Sequence, residues 1–161
     1  MNYKNPLIGL LGLTLAACAS PRHEPPVACA KPSEAEVAAL FEQWNDALQT
    51  GDPQQVVARY ADRSLLLPTL SPIARYSAEQ KVDYFAHFLP LGPRGRIVNR
   101  QIHTDCDSAV DSGEYVFTFA DGKQVPARYT FTYARQAGQW WITSHHSSAL
   151  PVLIQAPPAG Q

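Results

Sequence analysis

His145-His146-Ser147-Ser148 closes the last alternating stretch of this chain, and Asp111, Tyr115 and Arg128 stand in the two stretches before it. These residue types can move protons and hold oxygens. A buried carboxylate with a raised pKa can act as a base, and a histidine can shuttle a proton near neutral pH. A tyrosine can donate to a developing oxyanion, and an arginine can hold an anionic or carbonyl group. The candidate catalytic residues are therefore Asp111 and His145. The candidate ligand-binding residues are Trp44, Tyr60, Tyr115, Arg128, Thr130 and His145. Trp44, Tyr60, Tyr84 and Phe85 either pack the core or line an apolar cavity while doing so. Neighbouring strand residues point to opposite faces, so His145 and His146 do not share one site. There is no CxxC or His/Cys ligand spacing, no Gly-x-Ser-x-Gly elbow at Ser147 and no Gly-rich phosphate loop, so neither metal nor cofactor is expected.

Which of these side chains meet depends on hairpin register. With Asp121-Gly122 as a two-residue turn, Tyr115 lies opposite Arg128 and Gly113 opposite Thr130. With Arg135 paired to Trp140, Thr130 lies opposite His145 and Thr132 opposite Thr143. One face then collects Asp111, Tyr115, Arg128, Thr130, Thr143 and His145, and the other Val116, Tyr129, Phe131, Tyr133, Ile142 and His146. A single bulge exchanges the faces beyond it. The alternative is that Arg128, Thr130 and Thr132 form the solvated or dimer-facing side of a sheet.

The elements that must position these residues are legible as patterns. Ser33 with Glu36 forms a capping box ahead of Val37, Leu40, Phe41, Trp44 and Leu48 at helical spacing. Gly51-Asp52-Pro53 stops that helix, and Pro53 opens a shorter one through Val56, Val57 and Tyr60. Leu65-Leu66-Leu67 reads as a brief buried strand. Ser77 caps a third helix with Val82, Tyr84, Phe85 and Phe88, ended by Pro90 and Gly92. Strands are expected at 97–104, 109–120, 124–135 and 140–147. Helices followed by antiparallel strands describe an α+β domain, a cone-shaped curved sheet wrapped on the N-terminal helices.

Residues 1–17 read as a lipoprotein signal peptide: Lys4 is the positive region, and Leu7 to Ala17 are apolar but shorter than a membrane span. Leu15-Ala16-Ala17-Cys18 resembles the bacterial lipobox, which makes Cys18 the lipidated mature N-terminus. Ala19 and Ser20 in place of an Asp point to the outer membrane, facing the periplasm. Residues 18–32, with Pro21, Pro25, Pro26 and Pro32, form a tether; 33–151 form the domain; 152–161 form a flexible tail. That compartment permits a Cys29–Cys106 disulfide, the alternative being two unpaired thiols. A net charge of -1 gives no electrostatic case for nucleic acid.

The helix from Val37 to Trp44, with Ala47-Leu48 and Gly51-Asp52, resembles the opening of nuclear transport factor 2-like domains. The stretch from Trp140 to Pro151 is similar to the last strand of the calcium/calmodulin-dependent protein kinase II association domain and its SnoaL-like bacterial relatives. The resemblance spans about residues 33–151. It implies a cone open at one end to a pocket, a homodimer formed through the sheet's outer face, and a small organic ligand. The kinase domain's pocket arginines fall on Tyr115, Phe131 and Ser147, so its basic pocket is not inherited. Three functions follow: a lipid-anchored small-molecule-binding domain, a protein-interaction module using the sheet face, or a ketosteroid isomerase/SnoaL-type enzyme acting beside a carbonyl.

Overall fold

The computed structural model describes residues 29–69 and 71–151. The leader, Cys18 with most of the tether, and the tail lie outside the described residues. Helix α1 (Glu34–Gln49) starts at Ser33, whose hydroxyl accepts from Glu36 N while the Glu36 carboxylate accepts from Ser33 N. Its apolar stripe, Val37, Phe41, Trp44 and Leu48, is buried. Helix α2 (Pro53–Val57) is capped by Asp52, and the second capping box, Ser77 with Gln80, opens α3 (Ala78–Phe88). One 3₁₀ turn, Leu89–Leu91, follows and ends on Gly92.

Five strands form one unclosed sheet in the order β1 (Tyr60–Leu67), β5 (Gln139–Ala149), β4 (Gln124–Gln136), β3 (Ser108–Thr118) and β2 (Arg94–Thr104). Strands β2 to β5 are antiparallel neighbours, whereas β1 joins β5 in parallel, so the sheet is mixed at that edge. Tyr60 begins β1 rather than ending the second helix; α2 stops at Val57. The sheet bends where its register slips, at Val98 of β2 and at Thr143 of β5.

Helix α1 lies across the inner face of the sheet, with the Phe41 ring 6.0–6.1 Å from those of Phe131 and Tyr129. The Asn45 amide accepts from Gly95 N at 2.8 Å and donates to Gly95 O at 2.9 Å, tying the helix to β2. Helix α3 is fixed to β1 by Lys81, which is 1% exposed and whose Nζ donates to Ser64 O and Tyr76 O, each at 2.9 Å. Burial lowers the pKa of this ammonium, and the carbonyls replace the water it has lost. At the far end, Cys29 and Cys106 are joined by a disulfide with Cα atoms 5.2 Å apart, which pins the chain before α1 to the β2–β3 turn. No helix among the described residues is long and apolar enough to cross a membrane.

Candidate functional site

Between α3 with its 3₁₀ turn and the inner face of the sheet lies a cavity of about 440 Å³. Its buried end is formed by Trp44, Leu66, Tyr115, His145 and Ser147, its walls by Tyr84, Phe85, Phe88, Phe117 and Phe119, and its mouth by exposed Leu91, Asp121 and Lys123. The walls are held by their own contacts: the Phe88 ring stands 5.7 Å from that of Phe117 and 6.0 Å from that of Phe119, edge to face in both pairs. Apolar walls around a buried polar end are the usual form of a small-molecule site.

Two hydrogen-bond chains meet at that end. The Tyr115 hydroxyl donates to Ser147 Oγ, and Ser147 is itself hydrogen-bonded to Thr69 Oγ1. Whichever of Ser147 and Thr69 donates to the other, one O–H between them is left for a guest. In the second chain Trp44 Nε1, which can only donate, gives its proton to Tyr60 Oη at 3.1 Å. Tyr60 then donates its hydroxyl proton to His145 Nδ1 at 3.0 Å. This order makes Nδ1 the acceptor and puts the imidazole proton on Nε2, which is buried and has no partner in the protein. The ring stacks on Phe131 at 3.9 Å between centroids, and Trp44 meets it edge-on at 5.0 Å. Burial first, and His146 second, lower the His145 pKa from 6.5 to about 3. His145 is therefore a neutral hydrogen-bond donor, which replaces the expectation of a proton shuttle near neutrality. Burial likewise pushes the Tyr115 and Tyr60 hydroxyls above their ordinary value, so both stay protonated.

Of the expected ligand-binding residues, Trp44, Tyr115 and His145 line the cavity, and Tyr60 stands behind His145. Arg128 and Thr130 do not. The β3–β4 connection is a three-residue loop, Ala120-Asp121-Gly122, closed by Phe119 N donating to Lys123 O, with Gly122 at φ +82°. That one extra residue sets Tyr115 opposite Ala127 and Arg128 opposite Glu114, which turns Arg128 and Thr130 to the outer face. The bulge at Thr143 then sets His145 opposite Phe131 instead of Thr130. The two displacements cancel for Tyr115 and His145, which still share the inner face.

Asp111 is fully buried on that face yet does not line the cavity. Its Oδ1 accepts from the Tyr129 hydroxyl at 2.8 Å, and Arg100 Nη2 lies 3.1 Å from Oδ2 without the alignment of a hydrogen bond. Burial raises its pKa against the lowering effects of Tyr129 and Arg100. As a catalytic base Asp111 is misplaced: its partners are protein groups, and α1 covers them. The residues that the register error hid are Ser147, Thr69 and Lys123. Ser147 was within reach of sequence reasoning, because it stands two residues after His145 on one strand and so faces the same way. Among the described residues the one Cys/His/carboxylate group close enough to share an ion is Cys29, Asp105 and Cys106, whose sulfurs are taken up in the disulfide.

The calcium/calmodulin dependent protein kinase II association domain family matches residues 33–151. A calcium/calmodulin dependent protein kinase II association domain from Xanthomonas campestris is similar, with 50% identity and a TM-score of 0.71, over 74% of this chain and 90% of that one. An NTF2-like protein of unknown function from Pseudomonas putida shares the fold at 21% identity and a TM-score of 0.66, over 74% of this chain and 88% of that one. The iota-carbonic anhydrase from a cyanobacterium, complexed with bicarbonate, shares it at 21% identity and a TM-score of 0.69, over 80% of this chain and 99% of that one. No curated protein matches the chain.

Proposed function

The chain belongs to the calcium/calmodulin dependent protein kinase II association domain family, and from that premise we propose that its cavity binds bicarbonate and interconverts it with CO2. The observation that carries this reading is the cavity's end, where apolar walls stop at unspent O–H and N–H donors. CO2 has no net dipole and partitions into apolar space, whereas the bicarbonate formed from it needs donors to its oxygens. Hydration joins a water oxygen to the CO2 carbon and releases one proton. Ser147, Thr69 and Tyr115 would orient that water, and His145 Nε2–H would hold an oxygen on which charge develops. His145 does not take the proton, since its pKa lies far below neutrality. The proton leaves through the hydroxyls to solvent and buffer. Weak holding of the product suits turnover, and no cation among the described residues reaches the buried end. The same fold in a carbonic anhydrase that holds bicarbonate supports the reading.

The test is stopped-flow CO2 hydration, with a pH indicator, on the purified protein with and without a chelator. The reading expects hydration above the buffer rate and no loss on chelation, because the polar groups at the cavity's end are hydroxyls and one imidazole. Ser147→Ala should lower the rate by about a hundredfold, the usual cost of one donor to a developing oxyanion. Folded protein without any acceleration overturns the reading.

Two further features belong to it. Membership of an association-domain family supports self-association, and the outer sheet face is the surface available for it. The Leu15-Ala16-Ala17-Cys18 sequence supports a lipid anchor in the bacterial envelope. Light scattering checks the first, and mass spectrometry of the mature N-terminus the second.

A further inference from the structure

The cavity is far larger than the substrate just proposed. Bicarbonate has four heavy atoms, and with a water at about 30 Å³ each such guest leaves most of about 440 Å³ unfilled. A volume in this range holds organic ligands. The surplus lies between the buried end and the mouth, lined by Tyr84, Phe88, Leu91 and Phe119. Water there would face rings and aliphatic carbon on nearly every side, so displacing it by apolar matter is favourable.

We propose that the cavity also receives an uncharged carbonyl compound with an apolar body, its oxygen at the buried end and its chain or ring in the aromatic vestibule. The inference rests on the cavity as the binding site and not on CO2 hydration. Three observations fix the chemistry. The free groups at the end are donors, His145 Nε2–H and the hydroxyl left over between Ser147 and Thr69, and a carbonyl oxygen has two lone pairs to accept both. No cation among the described residues stands there to compensate a full negative charge beneath so large an apolar body. The mouth does not select for charge either, since Asp121 and Lys123 line it with opposite signs. Neither the walls nor the mouth offers a second polar partner for a sugar-like molecule.

Calorimetric titration of the full chain with acetone, methyl propyl ketone, methyl pentyl ketone and methyl heptyl ketone tests this, with butanoate, hexanoate and octanoate alongside. Affinity for the ketones should rise by up to about fourfold per added methylene until the vestibule is full. Ser147→Ala should weaken every ketone by a similar factor of about three to ten, leaving the chain-length slope in place. Leu91→Arg, at an exposed position of the mouth, should flatten that slope. Affinity without chain-length dependence overturns the proposal. So does tighter binding of the carboxylates, or indifference of ketone binding to Ser147→Ala in folded protein. CO2 hydration measured on the same samples separates the two ideas: ketone binding without hydration removes the hydration reading alone, and hydration without ketone binding removes this one alone.

Discussion

His145 meets its neighbours through Nδ1, which accepts from Tyr60, and through a ring face stacked on Phe131. With its pKa lowered from 6.5 to about 3, it binds a proton in the unfolded chain well before it does so in the folded one. The stability it contributes is complete above about pH 6.5 and is lost as pH falls toward 3. Urea unfolding across that window should show wild type losing stability more steeply than His145→Gln; equal slopes would show that the imidazole is not held neutral. The donor order makes a second prediction. Tyr60→Phe removes the proton given to Nδ1, so nitrogen NMR should find the His145 ring redistributed between its two tautomers, whereas wild type should show Nε2–H alone. The chemistry of a histidine in a proline-bounded alternating stretch was open to inspection in the sequence. Its environment was not, because Tyr60 and Trp44 come from elements 85 and 101 residues earlier in the chain, and nothing local announces the meeting.

Strand pairing decides which side chains share the cavity, and two single-residue choices decide the pairing. Asp121-Gly122 fits either a two-residue turn or the end of a three-residue loop; the chain takes the second, with Gly122 in the left-handed region. The bulge at Thr143 answers to sheet curvature, a property of all five strands that no single stretch encodes. The helix starts were legible for the opposite reason: Ser33 with Glu36 and Ser77 with Gln80 complete their hydrogen bonds within four residues. Gly113 marks the other bend. A Cβ there would stand 2.1 Å from Asn99 O and 2.9 Å from Arg100 Cα, both backbone atoms of the bulged strand. Gly113→Ala should therefore cost about 1–3 kcal/mol or more, because β2 must move. Urea midpoints check this, and a change within a few tenths of a kcal/mol would mean the bulge yields freely.

At the scale of the molecule the fold separates its functions by position: packing beneath α1, the cavity beneath α3, and the covalent tie at the β2–β3 turn. The division into helices and then strands, and the α+β class, followed from the change of hydrophobic period alone. The parallel placement of β1 beside β5 did not, since it depends on a crossover that only the assembled sheet reveals. The disulfide joins positions 77 residues apart. Cys29→Ser should lower stability by about 2–4 kcal/mol, read from urea unfolding under non-reducing conditions, with reductant giving the same loss in wild type and none in the variant. The same bond sits beside the first residue of β3, whereas the cavity mouth sits past its last. Eleven residues of extended chain, roughly 35 Å, lie between them. The domain is thus polar in the directional sense. Whatever holds it by the chain before α1 grips the closed end, and solutes arrive at the open end from the opposite side, unobstructed by the support.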